Sequence, residues 1–110
     1  MRLEILKALV EFSEPVQVIK QKLSALPWDA EDTLIVTRSA VSGVIKRYVS
    51  GEISESELIL WADAIEVRDD LDYEHGYDEM LKKFFIETAN PDLFGTIDSV
   101  KAKDWLSRFS

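Results

Sequence analysis

The sequence predicts an all-α fold, a compact bundle of about five or six short helices that forms a single domain over residues 1–110. Apolar residues recur at spacings of three and four along most of the chain, and no alternating segment accompanies a hairpin signal. All of the four glycines and three prolines except Gly43 fall near the ends of these periodic segments. With 46% apolar residues, the chain can bury a core without disulfides.

Two short helices are expected at the N-terminal end. The apolar stripe over about residues 2–12 predicts the first, and Pro15 suits the first turn of the second, where no backbone donor is needed. Pro27 ends this second helix because proline cannot continue the hydrogen-bond ladder. Residues 28–32 then form a short polar connector that carries Trp28.

A longer third helix is expected from about residue 33 to residue 50. Residues 33–37 are rich in β-branched side chains and have strand propensity, so this segment is open to either interpretation. We favour a helix because the apolar stripe continues well beyond these residues. Gly51 stands where a glycine commonly follows the end of a helix.

The second half of the chain predicts three further helices. Ser54 and Glu57 are spaced as a capping box, in which each side chain bonds to the other residue's backbone amide, ahead of a helix that ends near residue 67. Residues 69–76 are acidic and predict a loop. The fifth helix ends before Pro91, because a residue that precedes proline is pushed out of the α region, and a sixth helix follows.

The excess negative charge lies in one quarter of the chain. The whole sequence has 13 Lys and Arg against 21 Asp and Glu, a net charge of −8. Residues 52–79 hold eleven acids and one base, Arg68, which gives 1 − 11 = −10, whereas the rest of the chain carries 12 − 10 = +2. A helix dipole favours acids at a helix start but disfavours those of residues 69–74, which follow a helix end. Helix formation therefore does not explain this second group.

Three interpretations of the acidic segment are open. It is a solvated face, a docking surface for a basic protein, or a site for a divalent cation. Asp70, Asp72 and Glu74 match the first three ligand positions of a calcium loop. However, His75 stands where that loop needs glycine, and Leu81 stands where it needs glutamate. We therefore predict no metal site and no cofactor.

Aromatic residues among the acids favour the docking surface. Tyrosine and tryptophan are enriched at binding hot spots, and surrounding acids speed association with a cationic partner. Trp61 shares an apolar stripe with Leu58 and is expected in the core, whereas Tyr73 lies in the expected loop with no stripe to join. The predicted partner-binding residues are Asp63, Glu66, Asp69, Asp70, Asp72, Tyr73, Glu74, Tyr77 and Asp78.

The sequence carries no catalytic signature, and we expect no enzyme. The single histidine, His75, is expected to be exposed, and neither a nucleophile elbow nor a glycine-rich phosphate loop is present. No cysteine is present, which excludes disulfides and thiolate metal sites. Charged residues interrupt every apolar stretch, so we expect a cytoplasmic protein without a signal peptide or membrane span. The acidic balance argues against nucleic acid and anionic membranes as partners.

One phrase of the sequence resembles known bacterial proteins. The run from Gly51 to Asp70, GEISESELILWADAIEVRDD, with the helix that continues into residues 87–91, resembles small bacterial helical proteins of mostly unassigned role. In size, acidity and helix content the chain is also similar to bacteriocin and contact-inhibition immunity proteins. This resemblance implies a protein that binds and blocks a basic toxin, often a nuclease. The Tyr-Tyr-Pro signature of nuclease-colicin immunity proteins does not occur in the chain.

Together these features favour a non-catalytic protein that docks a basic protein partner, such as a toxin domain, through residues 52–79 as an immunity factor. The alternative is a structural or oligomerising helical domain, monomeric or homodimeric, whose acidic face is merely solvated. For a dimer, the expected contact is the apolar stripe at Phe84 and Phe85 or the end formed by Trp105 and Phe109.

Overall fold

The computed structural model describes residues 2–25, 33–68 and 70–110, and most of these residues are helical. The predicted all-α class is confirmed, with a small sheet added to the helices. None of the helices in these ranges is long and apolar enough to cross a membrane. The connector expected at residues 28–32 and the helix end expected at Pro27 lie outside the described residues. The elements in chain order are α1 (Arg2–Glu11), α2 (Val16–Ser24), β1 (Leu34–Val36), α3 (Arg38–Val49), α4 (Glu55–Glu66), β2 (Leu71–Tyr73), α5 (Asp78–Ala89), α6 (Pro91–Phe94) and α7 (Ser99–Phe109).

The buried apolar side chains form one core cluster, and Trp61 of α4 lies in it. Trp61 is fully buried, and its Nε1 donates a 2.8 Å hydrogen bond to the backbone oxygen of Leu9 in α1. The rings of Phe84 and Phe85 in α5 pack against the indole, with centroids 6.2 and 5.2 Å away. The expectation that Trp61 belongs to the core is confirmed, and this side chain joins three helices.

The side chains expected to form a dimer contact are inside this core. Phe84 and Phe85 are fully buried. Trp105 and Phe109 of α7 pack edge-to-face on Phe84, at centroid distances of 5.4 and 5.7 Å, and are also buried. The predicted dimer contact through these four side chains is therefore wrong, because α5 and α7 already cover them within one chain.

Residues 34–36 form a strand, so the helix expected from residue 33 is wrong over its first turn. β1 lies parallel to β2, with Val36 opposite Tyr73. Residues 71–73 belong to the segment expected as a loop, and that expectation is wrong for these residues. The β-branched run favoured a strand locally, but its partner is distant in sequence and carries an acid at its centre. No alternating apolar pattern marked the pair.

The ends of α3 and α4 follow from local signals. The Thr37 hydroxyl accepts a hydrogen bond from the amide of Ala40 and caps the start of α3. Gly51 follows α3 with a φ of 88°, a left-handed conformation that glycine adopts without steric cost, as expected. The capping box of Ser54 and Glu57 is present at the start of α4, also as expected.

The packing of α4 against α5 positions the acidic segment. These two helices share the most extensive helix contact in the described part of the chain. Residues 67–77 connect the end of α4 to the start of α5 and include β2, which packs against α5. The acids of α4, β2 and α5 are consequently held near one another by elements that are anchored in the core.

Candidate docking surface

Asp70 holds the turn between α4 and β2. The residue is 3% exposed, and its carboxylate accepts hydrogen bonds from Arg68, at 2.7 Å from Nε and 2.6 Å from Nη2. Its backbone oxygen also accepts from the amide of Leu34, which brings β1 to β2. Direct contact between Asp70 and a partner, as predicted from the sequence, is contradicted by this burial.

Glu74 and Tyr77 interact with the start of α3 instead of facing solvent freely. Glu74 Oε1 accepts from the backbone amide of Arg38 and Oε2 accepts from its Nε, each at 2.9 Å. The Arg38 guanidinium lies 3.7 Å from the centroid of the Tyr77 ring. Hydrogen bonds from the side chain and the backbone of Arg38 hold the pKa of Glu74 below its ordinary value of 4.5. These two predicted docking residues therefore have internal partners, and Glu74 has a structural role.

Tyr73 is half-buried rather than placed in an open loop. Its ring packs against Phe85 at a centroid distance of 6.1 Å, and the Lys82 ammonium lies 5.6 Å from the ring centroid. Burial, together with the charge of Glu66, raises the pKa of Tyr73 above its ordinary value of 10.0. The expectation that Tyr73 lies in a loop with no apolar stripe to join is wrong, because strand β2 directs its ring onto α5.

The remaining predicted acids lie at the surface. Asp63 and Glu66 are three residues apart on α4, a spacing that places them on one helix face. Asp72 is exposed in β2, and Asp78 is exposed in the first turn of α5. Across the described ranges, none of these four carboxylates takes part in an ion pair. Asp69 lies outside the described residues.

A surface depression of about 750 Å³ brings three of these acids together. It lies between the end of α4, strand β2 and the first half of α5, and we call it the β2 depression. The lining of the depression contains the carboxylates of Glu66, Asp72 and Asp78 and two basic side chains, those of Arg68 and Lys82. Because Arg68 is already paired with Asp70, the three carboxylates of the lining are opposed by the ammonium of Lys82. His75 is exposed, as expected, and is part of the lining. The lining residues are Glu66, Arg68, Leu71, Asp72, Tyr73, His75, Gly76, Asp78, Lys82 and Ile86.

Lys82, Ile86 and Leu71 belong to this surface but are not among the partner-binding residues predicted from the sequence. Asp78, Lys82 and Ile86 are spaced by four residues on α5, which is the spacing of one helix face. That spacing is the sequence signal that groups Lys82 and Ile86 with Asp78. Leu71 could not be found in this way, because its position depends on the unexpected strand.

A second depression, of about 530 Å³, lies between α1, β1 and α3. It is lined by Ile35, which is 58% exposed, and by Val10, Gly43 and Arg47 among others. This depression does not follow from the sequence prediction, because a helix was expected where β1 lies.

The three residues that match a calcium loop have different surroundings. Asp70 pairs with Arg68, Glu74 pairs with Arg38, and Asp72 is exposed to solvent. Over the described residues, no group of three or more histidine, aspartate or glutamate side chains is arranged to hold a metal ion. What the β2 depression offers chemically is a negatively charged concave surface with a partly apolar wall.

Comparison with protein-family models, with curated proteins and with solved structures finds no match to this chain.

Proposed function

We propose that this protein binds a basic protein partner, without catalysis, through the β2 depression. The observation that carries the proposal is the meeting of Glu66, Asp72 and Asp78 at one depression from three separate elements. Within the described chain these carboxylates have no cation paired with them. Like charges held together destabilise a fold, whereas a cation-rich partner surface compensates them and is steered towards them.

The proposed surface is smaller than the segment from 52 to 79. Asp70 and Glu74 are neutralised by arginines of the same chain and contribute little field outside it. The contacts proposed for the partner are therefore Asp63 and the depression acids Glu66, Asp72 and Asp78, beside the accessible part of Tyr73.

The partner class follows from the resemblance to bacteriocin and contact-inhibition immunity proteins. We propose that the partner is a basic toxin domain and that the protein acts as its immunity factor in the bacterial cytoplasm. The negative charge of the β2 depression supports such a partner. A neighbouring reading frame that encodes a toxin-like, basic C-terminal domain would supply the protein for the binding experiment.

The experiment compares two variants with the same net charge. The depression variant neutralises the three acids at the depression, and the control variant neutralises three exposed acids on α1, α6 and α7. The depression variant is Glu66→Gln/Asp72→Asn/Asp78→Asn, and the control variant is Glu4→Gln/Asp92→Asn/Asp104→Asn.

We predict that the depression variant associates about tenfold more slowly with the basic toxin domain at low ionic strength, and that its rate depends less on salt. The control variant should stay within about twofold of the wild-type rate, because its acids are remote from the contact. Stopped-flow association at several salt concentrations measures both effects. Equal slowing in both variants would show that net charge alone steers the partner, and unchanged rates in the depression variant would overturn the proposal.

A structural or oligomerising role is the second candidate. The apolar residues Leu93, Phe94 and Val100 are 78%, 46% and 74% exposed around α6 and the start of α7. This exposed group replaces the buried phenylalanines as the surface on which self-association would depend. A stable dimer in light scattering, together with association rates that do not respond to the depression variant, would favour this candidate.

A further inference from the structure

Strand β2 has an edge that does not pair with β1. The backbone oxygen of Asp70 accepts from β1, and the amide of Glu74 donates to β1. Backbone groups alternate in direction along a strand, so those of Asp72 also face β1. The amide and carbonyl groups of Leu71 and Tyr73 therefore point away from β1, and they form what we call the outer edge of β2.

Strand β2 borders the β2 depression. All three residues of β2 line this depression, and no residue of β1 does. The second depression shows the reverse, since Leu34 and Ile35 line it without any residue of β2. Each of the two depressions is thus bordered by one strand of the sheet and not by the other. In the described ranges, the backbone hydrogen bonds formed outside the helices and the strand pair involve neither Leu71 nor Tyr73.

An unpaired strand edge is a template for an added strand, and the depression beside β2 offers room for one. Such a strand would satisfy the four backbone groups of the outer edge directly. Side chains of a strand alternate between its two faces. One set of side chains of the added strand would lie beside the exposed Asp72. The other set would lie on the side of Tyr73 and near Ile86, whose side chain is 41% exposed.

We infer that the partner inserts an extended basic segment into the β2 depression, where it pairs with the outer edge of β2 as a third strand. The segment alternates cationic side chains with apolar ones, because carboxylates and Ile86 line the same depression. This inference rests on the proposed function and specifies how the basic partner binds. It assigns the main hydrogen bonds to the backbone and the charge selection to Glu66, Asp72 and Asp78.

The probe is a short acetylated and amidated peptide that alternates lysine with valine, titrated to millimolar concentration into the ¹⁵N-labelled protein. We expect hydrogen exchange at the amides of Leu71 and Tyr73 to slow by about tenfold or more on binding, because each gains a hydrogen bond. The amide of Asp72 already faces β1 and should change little. The depression variant should bind the peptide about tenfold more weakly than the control variant.

Backbone methylation of the peptide supplies the decisive control. Only every second residue of an added strand directs its amide to β2. Methylation of the lysine amides and methylation of the valine amides should therefore have different effects on binding. In an antiparallel arrangement the valine amides face the outer edge of β2, and in a parallel arrangement the lysine amides do. We expect one methylated peptide to lose binding and the other to keep it.

Three results would overturn strand addition: equal effects of the two methylations, unchanged exchange at Leu71 and Tyr73 in the bound state, or no chemical-shift change up to millimolar peptide. The association experiment with the toxin domain does not depend on strand pairing. If the depression variant slows association while exchange at these two amides stays unchanged, electrostatic docking stands and strand addition fails. If the depression variant has no effect on association, the proposed function itself fails.

Discussion

Arg38 links three parts of the fold through one guanidinium. It pairs with Glu74 just after β2, lies over the ring of Tyr77 ahead of α5, and belongs to the first turn of α3. Glu74 also accepts from the Arg38 amide, so a carboxylate stands at the positive end of α3. Several hydrogen bonds in a partly buried geometry make this contact more favourable than an isolated surface ion pair.

We predict that Glu74→Gln destabilises the protein at neutral pH and that the difference from wild type shrinks in acid. Because Arg38 lowers the pKa of Glu74, the unfolded state binds more protons than the folded state near the ordinary value of 4.5. The stabilisation is therefore complete above that value and is lost as the pH falls through the lower pKa of the folded state. Free energies of unfolding in urea at a series of pH values measure this effect.

The exposed Asp92 supplies the control for this pH series, since it has no ion pair among the described residues. The variant Asp92→Asn should remain close to wild type at every pH. A loss in Glu74→Gln that stays constant from neutral pH down to acid would show that the side chain stabilises the fold by packing rather than by its charge.

At the scale of elements, the sequence identified the structures that depend on neighbouring residues. The capping box at Ser54, the glycine at residue 51 and the burial of Trp61 each follow from spacing within a few turns of helix. Strands β1 and β2 depend on hydrogen bonds between segments that are far apart in sequence. Each strand has only three residues, which is too short for an alternating apolar pattern to be recognised. The acid at residue 72 favoured a loop over a strand.

The docking surface could be predicted from the sequence only in part. The sequence showed the concentration of acids, because charge is counted without knowing the fold. It could not separate Glu74 from Asp72, because the cation that neutralises Glu74 comes from Arg38 in another element. The position of Arg38 at the start of α3 therefore determines that Glu74, unlike Asp72, is paired with a cation.

Two glycines of the α3 region provide opposite predictions for the same substitution. Gly43 lies inside α3, and a Cβ built there meets nothing within 4 Å, so Gly43→Ala should stabilise the protein by about 0.5–1 kcal/mol through helix propensity. Gly51 has a φ of +88°, where an L side chain is strained, so Gly51→Ala should cost about 1–2 kcal/mol. Urea unfolding of both variants measures the two signs, and a shared sign would contradict the assigned roles.

At the scale of the whole molecule, stability and recognition make opposite demands on the acidic surface. Trp61 ties α4 to α1 and α5 in the core, which fixes the acids of α4 and α5 in place. Asp63 and Glu66 lie in the last turns of α4, where the helix dipole disfavours anions, and they are also close to each other. A rigid surface of this kind needs little rearrangement to bind a partner, but the free protein retains the repulsion.

We therefore predict that Asp63→Asn/Glu66→Gln/Asp72→Asn raises the free energy of unfolding of the isolated protein by about 0.5–1 kcal/mol at low salt. The gain should shrink in about 1 M salt, where the screening length falls to about 3 Å. The control variant Glu4→Gln/Asp92→Asn/Asp104→Asn should be neutral or less stable than wild type. It loses one acid from the first turn of α1 and one ion pair with Arg108.

Thermal and urea unfolding at low and high salt separate this prediction from a general effect of net charge. If net charge alone decided stability, both variants would gain equally, since each removes three negative charges. A gain restricted to the variant at Asp63, Glu66 and Asp72 locates the repulsion on the proposed docking surface. If that variant is less stable than wild type at low salt, its carboxylates stabilise the free fold, and the docking proposal loses its physical basis.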